Sequence, residues 1–153
     1  MQWLEHMIPP PVVGALVALV MWLVAPLGPA LPLGSTMRSV VAALLVTAGL
    51  AFDLSGLLAF RASRTTINPL TPARASALVT GGVYRITRNP MYVGLCFILL
   101  AWGTYLSAPL PFLGPIVFVL YITRFQIQPE ERVLDELFGE QYARYKARVR
   151  RWL

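Results

Sequence analysis

Cysteine and histidine are almost absent from this sequence: Cys96 and His6 are the only ones among its 153 residues. One of each excludes a disulfide framework and a zinc site built from the usual cysteine and histidine ligands, so no metal is expected. Cys96 lies inside an apolar run, where a free thiol behaves as a small buried hydrophobe. His6 precedes the apolar segments, so Ser-His-Asp or Cys-His chemistry would need a distant partner. Charge is scarce as well, at 13% of residues, about half the usual globular share.

What the chain has instead is apolar surface: 57% of its residues are hydrophobic and its mean hydropathy is +0.64. A soluble domain of this length cannot hide that much, whereas a bilayer can. The net charge of +6 comes from 13 Lys and Arg against 7 Asp and Glu. Apart from Arg38, five of the basic residues lie between Arg61 and Arg88 and seven between Arg124 and Arg151. Clusters flanking apolar spans follow the positive-inside rule. Nucleic-acid binding would call for a basic stripe on a soluble fold, so no nucleic-acid partner is expected.

The first apolar segment runs from Val12 to Leu33 and is broken by Pro26, Pro29 and Pro32, leaving only Val12 to Ala25 uninterrupted. It is too long, and lacks the basic n-region, for a cleaved signal peptide. Ser39 to Phe60 supplies 22 residues, close to the ~20 needed to cross the hydrocarbon core, and Arg61 stops it. Residues 61–90 form a polar connection rich in Pro and Gly, long enough to suggest function. Two further spans follow, over 91–107 and 112–125, around a turn at Ser107-Ala108-Pro109-Leu110-Pro111; both are short and should extend into their polar flanks or sit nearly upright. From Gln128 to Leu153, Val133, Leu134, Leu137, Phe138, Tyr142 and Tyr145 recur at helical spacing. Arg144, Lys146, Arg148, Arg150, Arg151 and Trp152 suit that helix to anionic lipid headgroups. The expected fold is an all-α membrane protein: a single domain over 1–153 with about four transmembrane helices and a C-terminal amphipathic cytoplasmic helix. Both termini are expected to be cytoplasmic and the protein multi-pass in the cell (inner) membrane, with uncharged external loops near 34–37 and 107–111.

Three groups of residues can carry chemistry. Asp53 lies mid-span, where a carboxylate costs a few kcal/mol and marks either a functional site or a hydrogen-bonded packing residue. Gly81-Gly82 precedes Tyr84 and Asn89-Pro90; the glycines permit close backbone approach, and Asn-Pro either caps a helix or opens an anion-binding helix start. Glu130-Glu131 sits just past the fourth span and either holds a cation or takes a proton; the alternative is a helix-start pair complementing the dipole.

Together these pieces resemble the membrane methyltransferase superfamily of isoprenylcysteine carboxyl methyltransferases and phospholipid N-methyltransferases. The resemblance rests on Leu78-Val79-Thr80-Gly81-Gly82-Val83-Tyr84 and Arg88-Asn89-Pro90-Met91-Tyr92, then Glu130-Glu131 and Phe138-Gly139-Glu140-Gln141-Tyr142-Ala143-Arg144-Tyr145. It covers the chain from about residue 64 to 153, which it marks as the cofactor-binding part. It implies S-adenosyl-L-methionine as cofactor, bound by Ser76, Ala77, Leu78, Val79, Tyr84, Asn89, Pro90, Met91, Tyr92 and Glu130. A Tyr face and a carboxylate suit its cationic sulfonium, and Arg88 suits its carboxylate. Glu131 is the candidate base, with Arg88 as its catalytic companion. Arg124 and Asp53 are candidates for the substrate, a lipid or amphiphile such as a phospholipid amine. Asn-Pro-Met-Tyr is the phospholipid-type spelling: carboxyl methyltransferases generally have His where Asn89 stands. Their substrate Arg aligns with Gln126, which makes an isoprenylcysteine-type substrate the alternative. Outside the enzyme class, a small transporter coupled through Asp53 would call for internal repeats, which are not found, and a non-catalytic scaffold would not keep Tyr84, Asn89-Pro90 and Glu130-Glu131 intact.

Overall fold

Apolar runs of this length bring all their backbone hydrogen bonds inside the segment, which in lipid leaves the helix as the solution. A computed structural model, which describes residues 8–62 and 78–153, bears this out. It contains α1 (Pro10–Val24), α2 (Ser35–Ala62), α3 (Pro90–Leu106), α4 (Leu113–Ile122) and α5 (Gln128–Arg148). Among the described residues there is no strand, only an isolated bridge between Thr87 and Arg150. The stretches Pro10–Leu27, Ser35–Ala62 and Leu110–Arg148 are long and apolar enough to cross a membrane, and Pro90–Leu106 is a shorter apolar helix.

Helix ends follow local chemistry. Pro10 and Pro90 occupy the first turns of α1 and α3, where a missing N–H costs nothing. The proline-broken outer part of the first segment becomes a 3₁₀ turn, Ala25–Leu27, and then non-helical chain. That chain is pinned to the end of α3: the Ser107 carbonyl accepts from the Leu31 N–H at 2.7 Å, and the Ser107 hydroxyl donates to the Leu31 carbonyl at 3.2 Å.

The fourth span departs from the sequence expectation. α4 does not stop near 125 but passes through a π-helical turn, Thr123–Ile127, straight into α5. Thr123 and Ile127, at the two joints, both keep right-handed helical backbone angles. Glu130 and Glu131 therefore do not begin a new helix, and the reading of the pair as a dipole-complementing helix start fails. α5 kinks at Gly139, whose φ of 45° is a left-handed value that glycine adopts without a Cβ penalty.

Two cores organise the molecule. Val13, Met21, Tyr92, Leu99, Phe118, Ile122 and Ile127 fill the space between α1, α3 and α4, with Trp152 packed against them. Val79, Tyr84, Tyr142 and Tyr145 form a second cluster under Phe60 at the end of α2.

Candidate active site

The site forms where the second cluster meets the start of α3. A 3₁₀ turn, Gly82–Arg85, delivers Tyr84 into the core at 6% exposure. Its carbonyl accepts from the Tyr145 hydroxyl at 2.7 Å, and its ring meets Phe60 edge-on with centroids 5.5 Å apart. Gly81 and Gly82 face open space: a Cβ at either would meet nothing within 4 Å.

Tyr92, in the first turn of α3, donates its hydroxyl to Glu130 Oε1 at 2.7 Å. Glu130 keeps partial exposure as a residue, but its carboxyl end is deep. Burial pushes that carboxyl up to about 7; the Tyr92 hydrogen bond opposes the rise and the Glu131 charge adds to it. The Tyr84 hydroxyl is raised in turn, first by burial, then by Tyr145 and by Glu130. A desolvated carboxylate bonded to a tyrosine favours a cation.

Glu131 points elsewhere. Its carboxylate is held by Arg88 Nη1 at 3.1 Å and by the Arg151 guanidinium through two bonds of 3.0 and 2.7 Å. The sequence offers Glu131 as a proton acceptor, yet both oxygens are engaged by guanidinium groups. Arg88 Nη1 also donates to the Tyr142 hydroxyl at 3.3 Å. Its Nε is buried with no hydrogen-bond partner among the described residues.

Asn89 is not the side-chain cap of α3: its amide instead donates to the Arg151 carbonyl at 2.8 Å. Pro90 is buried behind it, against Gly56 of α2, and Met91 also touches that position. Asp53 lies a turn earlier in α2, where its carboxylate occupies the space that a side chain at Gly94 would fill. Arg124 is exposed in the π turn, its guanidinium 5.6 Å from the Phe125 ring. The neighbouring Gln126 is 1% exposed and donates to the Ile8 carbonyl at 2.8 Å.

The structure thus brings together Val79, Tyr84, Arg88, Asn89, Pro90, Tyr92, Glu130 and Glu131, with Leu78 packed against the second cluster. Ser76 and Ala77 lie outside the described residues, as does His6. Three residues that sequence reasoning missed also join the site: Thr87, Arg151 and Trp152. No local signal marks them. Arg144 to Trp152 read as a headgroup anchor, but the Trp152 indole donates to Thr123 Oγ1 at 3.1 Å and Arg151 pairs with Glu131, while Arg144, Arg148 and Arg150 stay exposed.

Residues 37–141 match the family model described as phospholipid methyltransferase. An uncharacterized protein of Haemophilus influenzae is 52% identical over 63 residues, 41% of this chain and all of that protein. The protein-S-isoprenylcysteine O-methyltransferase B of Arabidopsis thaliana is 40% identical over 75 residues, 47% of this chain and 36% of its own. The methanethiol S-methyltransferase of Pseudomonas deceptionensis is 33% identical over 103 residues, 64% of this chain and 35% of its own. The chain therefore spans about a third of the length of these two named methyltransferases. No solved structure gives a significant match.

Proposed function

The chain belongs to the phospholipid methyltransferase family, and from that premise we propose that it transfers a methyl group from S-adenosyl-L-methionine to a lipid or amphiphilic acceptor at the cytoplasmic face of the membrane. The observation that carries the reading is the buried Glu130 carboxylate, bonded to Tyr92. The donor supplies an electrophilic methyl on a cationic sulfonium, and these residues fit such a cation. The open backbone at Gly81-Gly82 leaves room for it, and the unpartnered Arg88 Nε suits its carboxylate.

In this reading Tyr84, Tyr92 and Glu130 bind and orient the donor, with Leu78, Val79, Asn89, Pro90 and Met91 as the adjoining wall. In-line methyl transfer asks mainly for alignment and exclusion of water, and the buried tyrosines supply both. Glu131 and Arg88, locked to each other, position rather than exchange protons. Asp53 and Arg124 are assigned to the acceptor side: a carboxylate suits an amine, and an exposed guanidinium an anionic headgroup. A phospholipid amine is the favoured acceptor, because Gln126, where isoprenylcysteine enzymes carry Arg, is committed to the Ile8 carbonyl. Membership in a methyltransferase family replaces the transporter reading of Asp53.

Calorimetry of the detergent-purified protein with S-adenosyl-L-methionine and with its demethylated product tests the donor. Saturable binding of both is expected, and absence of heat with either removes the enzyme reading. Orientation is tested by reporters: inside signals are expected at residue 70 and at residue 153, and an outside signal near residue 36. An outside signal at residue 153 overturns the cytoplasmic placement.

A further inference from the structure

We propose that residues 149–153 are a latch that sets the geometry of the donor site, with Arg151 as its positioning residue. This rests on the donor site proposed above.

The chain leaves α5 at Val149 in an extended conformation and runs back beside the start of α3. The Arg150 carbonyl accepts from the Arg88 N–H at 3.0 Å. The Arg151 carbonyl accepts twice, from the Thr87 hydroxyl at 3.2 Å and from the Asn89 amide at 2.8 Å. The Arg151 guanidinium grips Glu131 through two bonds, and Trp152 bonds Thr123 in the π turn. Consecutive residues thereby tie the approach to α3 to the continuous stretch formed by the π turn and the first turn of α5.

Those are the elements that present Asn89 to Tyr92, Glu130 and Arg124. The π turn runs directly into α5, but the approach to α3 is distant from both in sequence, so its placement against them depends on contacts across the cytoplasmic face. Thr87 is fully buried at 0% exposure, so its hydroxyl depends on the Arg151 carbonyl as an acceptor. Asn89 spends its amide on the same carbonyl instead of on its own helix. The fork of Arg151 on a carboxylate that Arg88 also holds makes the closed arrangement specific to one register, because two parallel N–H bonds fix both distance and angle.

The test compares the full chain with Arg151→Ala and Arg151→Lys, all without cofactor and then titrated with S-adenosyl-L-methionine. In Arg151→Ala, amide exchange across residues 86–92 should quicken at least tenfold. Cofactor affinity should fall by about tenfold, the scale of a lost charged hydrogen bond. The melting of the spans should stay unchanged. Arg151→Lys keeps the charge but loses the fork, and should fall between the two. A merely structural role would lower the melting temperature and leave the affinity of the surviving folded protein intact, which overturns the proposal. Equal exchange and equal affinity in all three proteins also overturns it. If the unmodified protein binds no cofactor, the donor reading fails instead, and the exchange rates alone decide whether the latch exists.

Discussion

The seam between α2 and α3 and the polar network beside the start of α3 are held by opposite means. In the seam Gly49 and Gly56 of α2 and Gly94 of α3 let the two backbones touch: a Cβ at Gly49 would lie 2.8 Å from the Gly94 carbonyl oxygen. Lipid tails are as apolar as the helices, so association there depends on close packing, for which small residues are needed. The network uses large side chains, Arg88, Glu131, Tyr142, Tyr145 and Arg151, bonded to one another or to the backbone. A seam of contacts tolerates no added atom, whereas a network of bonds tolerates no missing partner.

The largest effect is expected at Gly94. A methyl group there would fall on the Asp53 carboxylate and 2.7 Å from the Gly49 carbonyl oxygen. Overpacking of this kind costs about 1–3 kcal/mol and more when backbone is hit. Gly94→Ala should sharply lower the yield and thermal stability of the folded protein in detergent. Stability equal to the unmodified chain would show that the seam is not close-packed.

Next is Glu130. Glu130→Gln should weaken S-adenosyl-L-methionine binding by about 1.5–3 kcal/mol, the scale of a charged hydrogen bond. The pH dependence sharpens this. With its carboxyl pushed up to about 7, Glu130 holds a proton at lower pH that a bound cation must displace. Affinity should therefore drop about tenfold per unit as pH falls below that value and level off above it. The free protein behaves in the opposite sense. Its folded state binds the proton more tightly than the unfolded chain does, so this group's contribution to stability declines as pH rises from 4.5 through about 7. Calorimetric titration between pH 5 and pH 8 checks both, and Glu130→Gln should abolish the slope. A slope that persists in that variant assigns the proton to another group.

The smallest effect is expected at Asp53, which belongs to the seam by position and to the site by proposal. Asp53→Asn preserves shape and most hydrogen bonding, so cofactor affinity should stay within about threefold. Turnover of an amine acceptor, measured by methyl transfer to phospholipid vesicles, should drop if the carboxylate faces the acceptor. Unchanged turnover returns Asp53 to the seam as a packing residue.

The same contrast separates what was legible in the sequence from what was not. Spans are written locally: some twenty apolar residues ended by Arg61, or a proline at a first turn, specify a helix without reference to the rest of the chain. So Ser39 to Phe60 lies inside the observed Ser35–Ala62, and 91–107 nearly coincides with Pro90–Leu106. The ordered motifs from Leu78 to Tyr92 and at Glu130 likewise point to one site, because each is a short continuous string. Three features belong to the tertiary structure alone: the unbroken passage of α4 into α5, the capture of Glu131 by two arginines, and the return of residues 150–152 to the start of α3. Asn89 and Arg151 stand 62 positions apart, and no periodicity links an amide to a carbonyl at that distance. An arginine near a chain end reads the same whether it meets a headgroup or a buried carboxylate. Which of these it meets is settled by where the kink at Gly139 and the turn at Val149 send the chain, and by the burial that makes an unpaired Glu131 too costly to leave alone.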